Sequence, residues 1–201
     1  KQKYGIQNPI VMTSKGFLKR QDLASVFDSR CIFSSISPDP TIQSCQNAIN
    51  FLFNSKYDGI IAIGGGSVMD TAKAVMAALG SNIVNLQELL ENENEYRFIK
   101  PSIFIPTTHG TGSEVTKWGT IWNKKERKKF SISHEKLYPN VAILDSSLTV
   151  TLPIDISIIT SLDALSHSFE AIWNKNKNEK STKYAITAIC SIINNIESLK
   201  L

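Results

Sequence analysis

The chain has 201 residues, enough for one good hydrophobic core or for one domain and part of a second. Hydrophobic residues make up 42%, charged residues 20%, and the net charge is +4. That balance excludes an intrinsically disordered polyelectrolyte and gives no charge argument for nucleic acid.

The longest apolar run, Gly59 to Gly66, is strand-sized, far short of the roughly 20 residues a membrane helix needs. Lys1-Gln2-Lys3-Tyr4 offers no apolar core for a signal peptide and no initiator Met, so the gene product is expected to begin elsewhere. Cys31, Cys45 and Cys190 are odd in number, widely spaced and without a C-x-x-C pair. They are expected to be buried or inert thiols of a cytoplasmic protein, not disulfides or thiolate metal ligands.

Pro9 to Thr13 reads as a short buried strand, Gly16 to Phe27 as a helix, and Cys31 to Phe33 as a second strand closed by the turn Ser37-Pro38-Asp39-Pro40. Thr41 is an N-cap candidate for a helix reaching Phe53. Ile60 to Ile63 is apolar on both faces, as a central parallel strand should be. Gly64-Gly65-Gly66-Ser67 follows, then a helix from near Val68 to Leu79 stopped by Gly80. Glu88 to Arg97 reads as a polar connection and Ser102 to Ile105 as the next strand.

After Gly112 the pattern changes. Val115 to Asn123 and Lys129 to Ser133 read as two strands flanking the basic run at 124–128, and Asn140 to Leu144 as one more buried strand. From Pro153 the chain reads as helical, over 154–160, 161–173 and 181–199. The expectation is an α/β domain over 1–150 with a parallel sheet, followed by the start of an all-α domain over 151–201.

Three constellations carry candidate chemistry. A glycine-rich strand-to-helix turn exposes backbone N–H groups that bind phosphate, and Gly64, Gly65, Gly66 and Ser67 suit this. Asp70 is expected in the first turn, capping N–H groups or holding the loop. The pattern is neither G-x-G-x-x-G nor a P-loop, so a plain glycine turn stays open. The second constellation is Pro106-Thr107-Thr108-His109-Gly110-Thr111-Gly112-Ser113-Glu114, at the end of another strand, where open α/β sheets bind ligands. His109 is either an acid–base or cofactor contact or a locally hydrogen-bonded loop residue.

The third constellation is Asp163 and His167. Four apart on one helix, they share a face and can reach one divalent ion such as Fe²⁺ or Zn²⁺. Two ligands are too few for a catalytic site, and a surface Asp–His pair is the alternative. The basic run Lys124 to Lys129 reads as a solvated hairpin tip, or as an attractor of an anionic cofactor or substrate.

Taken together, Gly64 to Lys73, Ile105 to Thr116, Asn140 to Asp145 and Leu162 to Ala171 resemble the iron-containing alcohol dehydrogenase family, in its order and spacing. The resemblance implies a Rossmann-like dinucleotide-binding domain and a helical metal-binding domain in a dehydroquinate synthase-like architecture, with the active site between them. It implies NAD(P)H with its pyrophosphate on Gly65, Gly66 and Ser67. Asp70, Thr107, Thr108 and Thr111 would belong to the cofactor site, and Lys129 would meet the ribose. Asp163 and His167 would be two of the family's four metal ligands, one Asp and three His. The metal polarises the oxygen of a small alcohol or aldehyde, and hydride passes to or from the nicotinamide.

This chain departs from the family in three places. No His follows His167, so two ligands are missing, and 1–201 alone is expected to bind nucleotide better than it catalyses. Many members have an Asp where Ser14 stands; Ser14 would not repel a 2′-phosphate, so NADP(H) is expected to be accepted. His109 replaces a small residue. The stretches 119–123, 129–134 and 137–139 resemble the phosphonoacetaldehyde reductase-like subgroup, which forms 2-hydroxyethylphosphonate. The alternatives are a general short-chain alcohol dehydrogenase of the same family, and a non-catalytic nucleotide-binding fragment. The family implies at least a homodimer, and no nucleic acid or membrane partner.

Overall fold

The computed structural model describes residues 2–20, 22–91 and 99–199. Five strands form one parallel sheet: β1 (Pro9–Thr13), β2 (Ile32–Phe33), β3 (Gly59–Gly64), β4 (Ser102–Pro106) and β7 (Val141–Ala142), in the order β2-β1-β3-β4-β7. All of β1 and β3 is buried, which explains why neither alternates polar with apolar residues. Between β4 and β7 the chain makes a separate antiparallel hairpin, β5 (Trp118–Asn123) and β6 (Lys128–Ser133). Without that insertion the order is the doubly wound 2-1-3-4-5, which reverses direction between β1 and β3.

Six α-helices are described. Helix α1 (Lys15–Arg20) is shorter than its apolar spacing predicts, because Asp22 and Asp28 each cap a separate 3-10 turn, accepting from Ser25 and Arg30 N–H groups. Helix α2 (Ile42–Phe53) starts where Thr41 and Ser44 form a reciprocal capping box, and buries Cys45, Ala48, Ile49 and Leu52 along one stripe. Helix α3 (Gly66–Ser81) is buried on nearly every side. It runs through Gly80 and stops at Asn82, which takes the left-handed conformation (φ 59°) that Asn tolerates at a C-terminus. Helix α4 (Leu86–Glu91) occupies the start of the expected polar connection; the rest of that connection lies outside the described residues.

The core joins β1 and β3 to α2 and α3, with Phe104 of β4 and with Ile121 and Ile132 of the hairpin. The segment before the hairpin is a 3-10 turn at Ser113–Val115, so β5 starts three residues later than its composition suggests. β7 is an edge strand of two residues, and Ile143 and Leu144 beyond it are exposed instead of buried. The cysteines also depart from expectation: Cys45 is buried and its thiol is pushed up to about 12 by burial, but Cys31 is half-buried and Cys190 exposed.

The chain divides into two compact units, one of residues 1–106 and 113–144, the other of 107–112 and 145–201. The expected division at 150 therefore falls six residues earlier, and the loop 107–112 groups with the helical unit. That unit contains α5 (Ile154–Trp173) and α6 (Glu179–Ile196). The two helices expected over 154–173 are one: Thr160 bonds its hydroxyl back to the Ile156 carbonyl at 2.9 Å, so nothing interrupts the ladder. No helix among the described residues is long and apolar enough to cross a membrane.

Candidate functional site

The strand order reverses between β1 and β3, and open α/β sheets bind ligands outside the C-terminal strand ends at such a reversal. Thr13 of β1 is the register partner of Ile63, and Gly64 that of Pro106, so β1, β3 and β4 end level with one another. Ser14 follows β1, and the glycine turn follows β3. Gly65 is the N-cap of α3, and no side chain caps the helix. Its first-turn N–H groups and the positive end of its dipole are therefore left for an anion.

Each glycine has its own reason. A Cβ on Gly64 would lie 2.5 Å from Cγ2 of Val68, so this glycine lets the strand and helix pack closely. Gly65 and Gly66 are half-buried and keep the backbone open to an approaching group. Thr13 supplies a further polar atom at this end of the sheet: its hydroxyl is wholly buried with no hydrogen-bond partner in the protein. An orphaned hydroxyl there fits a site that takes a polar ligand, and the sequence offers no signal for it.

Ser14 accepts the Phe17 N–H at 3.1 Å, so its hydroxyl caps α1. Asp70 lies a turn deeper than expected and caps nothing. It accepts from the Ser113 hydroxyl at 2.8 Å and from the Thr120 N–H at 3.1 Å, and burial raises its carboxyl above the usual range despite those bonds. Its bonds hold Ser113 and Thr120, not the glycine turn it was expected to cap or hold. Lys129 is exposed on β6, opposite Trp122, with its ammonium 5.5 Å from that ring. The whole basic run 124–129 is exposed.

Lys73 escaped the sequence reading. It is fully buried, and its ammonium donates to the Ser113 carbonyl (2.7 Å) and hydroxyl (2.9 Å), the Thr116 hydroxyl (3.1 Å) and the Trp118 carbonyl (2.6 Å). Burial pulls it down to about 8 against the attraction of Asp70 and Glu114. The available signal was a lone cation in an apolar helix, three residues from Asp70.

In the second unit, Thr107 is buried, Thr108 half-buried and Thr111 exposed. His109 is exposed and donates through Nε2 to the Ser157 carbonyl at 3.3 Å, a contact with α5 across 48 positions of sequence. Gly110 sits against α5, where a Cβ would meet the Thr160 carbonyl at 2.8 Å and Asp163 Oδ2 at 3.1 Å. Asp163 and His167 face one another across a helical turn, Oδ2 to Nδ1 3.7 Å, both partly exposed. Mixed oxygen and nitrogen donors at that spacing fit two corners of a divalent-ion site. No group of three or more His, Cys, Asp or Glu side chains gathers for a metal among the described residues.

The sequence profile described as iron-containing alcohol dehydrogenase matches residues 1–146. The chain belongs to that family. It is 34% identical over 160 residues to long-chain-alcohol dehydrogenase 1 of Geobacillus thermodenitrificans, covering 79% of this chain and 40% of that protein. NADH-dependent butanol dehydrogenase A of Thermotoga maritima superposes with a TM-score of 0.85 at 27% identity, over 98% of this chain and 52% of that one. Sulfoacetaldehyde reductase of Bifidobacterium kashiwanohense, solved in complex with NAD⁺, gives 0.79 at 28% identity over 95% of this chain and 55% of that one. The fold is thus the dehydroquinate synthase-like fold of these enzymes, and the chain spans about half the length of such relatives or less.

Proposed function

We propose that this chain carries the dinucleotide site and part of the metal site of an NAD(P)-linked, metal-dependent alcohol dehydrogenase that works as an aldehyde reductase. The observation that carries the reading is the uncapped N-terminus of α3 behind Gly64–Gly66 at the strand reversal. In that reading the pyrophosphate lies on Gly65, Gly66 and Ser67, held by backbone N–H groups and the helix dipole. Ser14 faces the adenine ribose and leaves room for a 2′-phosphate. Lys129 bonds the ribose, and Thr107, Thr108 and Thr111 supply hydroxyls to the cofactor.

Asp163 and His167 would hold Fe²⁺ or Zn²⁺ together with ligands that these 201 residues do not supply. When bound, the metal polarises the substrate oxygen and the nicotinamide carries the hydride. Two ligands hold an ion weakly, so catalysis is assigned to the whole protein.

The substrate proposed is a small aldehyde with an anionic tail, phosphonoacetaldehyde, giving 2-hydroxyethylphosphonate. Likeness to a sulfoacetaldehyde reductase supports an anionic aldehyde, as does the exposed basic run 124–129. The whole protein is read as a cytoplasmic homodimer or larger homo-oligomer, in keeping with its free cysteines and with exposed Ile159, Leu162, Phe169 and Trp173 on α5. The test is NADPH and NADH oxidation by the whole protein with added Fe²⁺ or Zn²⁺. Phosphonoacetaldehyde is expected to give the higher kcat/KM; preference for simple aliphatic aldehydes would leave a general short-chain dehydrogenase.

A further inference from the structure

Asp70 and Lys73 project from one face of α3, three residues apart, inside the first unit. Between them stands Ser113. Its hydroxyl accepts from the Lys73 ammonium at 2.9 Å and donates to Asp70 Oδ1 at 2.8 Å, so the cation and the carboxylate are joined through one hydroxyl. The pair grips more than Ser113. Lys73 also holds the Ser113 and Trp118 carbonyls and the Thr116 hydroxyl, and Asp70 holds the Thr120 N–H. Six hydrogen bonds to backbone or side chain at 113, 116, 118 and 120 pin the lead-in to β5 and its first residues.

The hairpin has no other latitude on that side. A Cβ on Gly119 would fall 3.1 Å from Ile132 and 3.4 Å from Lys73 Cβ, so strand and helix are already in contact there. Ile121 and Ile132 are buried in the core beside α3. A buried ammonium has several acceptors to satisfy its three N–H groups and could not be held so deep for packing alone; an apolar side chain would fill the space at less desolvation cost.

We propose that Lys73, Asp70 and Ser113 are positioning residues for the dinucleotide: they lock segment 113–120 onto α3 and so fix the hairpin that carries Lys129 relative to the phosphate-binding first turn of the same helix. This rests on the nucleotide reading above. None of the three touches the cofactor in this scheme; they act through the backbone they hold.

The test compares the 201-residue chain with its Lys73→Met and Ser113→Ala variants, by hydrogen exchange and by NADPH and NADH titration. Lys73→Met is expected to speed exchange of the Thr120 amide and of 118–133 at least about tenfold, a loss of about one tenfold step in local equilibrium. Amides of β1 and β3 should stay as slow as before. Nucleotide affinity is expected to fall about tenfold. Ser113→Ala keeps both charges, is the safer variant for folding, and is expected to show both effects at reduced size. A purely structural residue would not alter the pH profile of binding. Lys73 is held at about 8 in the docked segment against 10.5 when released, so docking of 113–120 strengthens as pH passes about 8 and wild-type affinity is expected to rise there, with Asp70, Glu114 and Lys129 the other charges near the cluster; the Lys73→Met profile should be flat there.

Unchanged exchange over 118–133 overturns the proposal, and so does faster exchange with wild-type affinity. If the wild-type chain binds neither nucleotide, the nucleotide reading itself has failed and the positioning role falls with it, an outcome distinct from the other two.

Discussion

Ser14 is the residue to which the proposed function assigns cofactor choice. Its hydroxyl caps α1 through the Phe17 N–H, a task an Asp carboxylate performs as well. Ser14→Asp is therefore expected to leave stability within about 0.5 kcal/mol while placing a negative charge where a 2′-phosphate would lie. The NADP(H)/NAD(H) affinity ratio should drop at least about tenfold; an unchanged ratio would sink the assignment. Lys73 makes a second residue-scale prediction. Burial holds its folded value at about 8, below the 10.5 of a free lysine. Between those two values the unfolded chain holds more protons, so the contribution of Lys73 to stability is constant below about pH 8 and rises from there toward 10.5. Unfolding free energies of wild type and Lys73→Met, compared at pH 7.5 and near 10, should move in favour of wild type at the higher pH. Movement the other way would mean that the cation's hydrogen bonds outweigh its burial.

Elements show how much of the site is packing. The 2.5 Å approach of a Cβ on Gly64 to Val68 predicts that Gly64→Ala destabilises by about 1–3 kcal/mol through overpacking at the β3–α3 junction. Val68→Ala in the same chain should recover part of that loss, a coupling that a double-mutant cycle in urea would measure. Additive losses would place the cost of Gly64→Ala elsewhere than in that contact. The boundaries of β1, β3 and α2 could be read from local chemistry: continuous apolar runs, and a Thr41 cap answered by Ser44. Where reading fell short, a distant partner decided. Asp70 looked like a first-turn residue because the helix was expected to start near Val68 and starts at Gly66, and nothing local shows that Ser113 and Thr120 approach it, 43 and 50 positions later. Thr13 looked like an ordinary strand end because an unpaired hydroxyl is a property of the folded neighbourhood alone. Ile143 and Leu144 looked buried because an apolar run does not reveal that its strand lies at a sheet edge.

The molecule as a whole joins an α/β unit to a smaller helical one in a single chain. Its first unit has a sheet order, a strand reversal and an uncapped helix, the backbone geometry on which the proposed dinucleotide site rests. Its second unit has Asp163 and His167, the two proposed metal ligands, on one helical face and exposed apolar surface on α5 and α6, including Trp173, Tyr184 and Ile193. The motif order that placed the chain among iron-containing alcohol dehydrogenases was visible in sequence because glycine turns and i, i+4 ligand pairs are local. The grouping of residues 107–112 with the helices was not, since it depends on contacts such as Gly110 against Thr160 and His109 against Ser157. Nucleotide binding is expected to reside in these 201 residues and turnover to need more. Titrating NADPH into the chain, followed by its fluorescence, tests it most directly. Binding in the micromolar range is expected, weakened at least about tenfold by Gly66→Asp, which sets a like charge against the pyrophosphate. Wild-type chain that leaves the fluorescence unchanged at millimolar nucleotide, or that binds equally well with Asp at 66, would contradict the account.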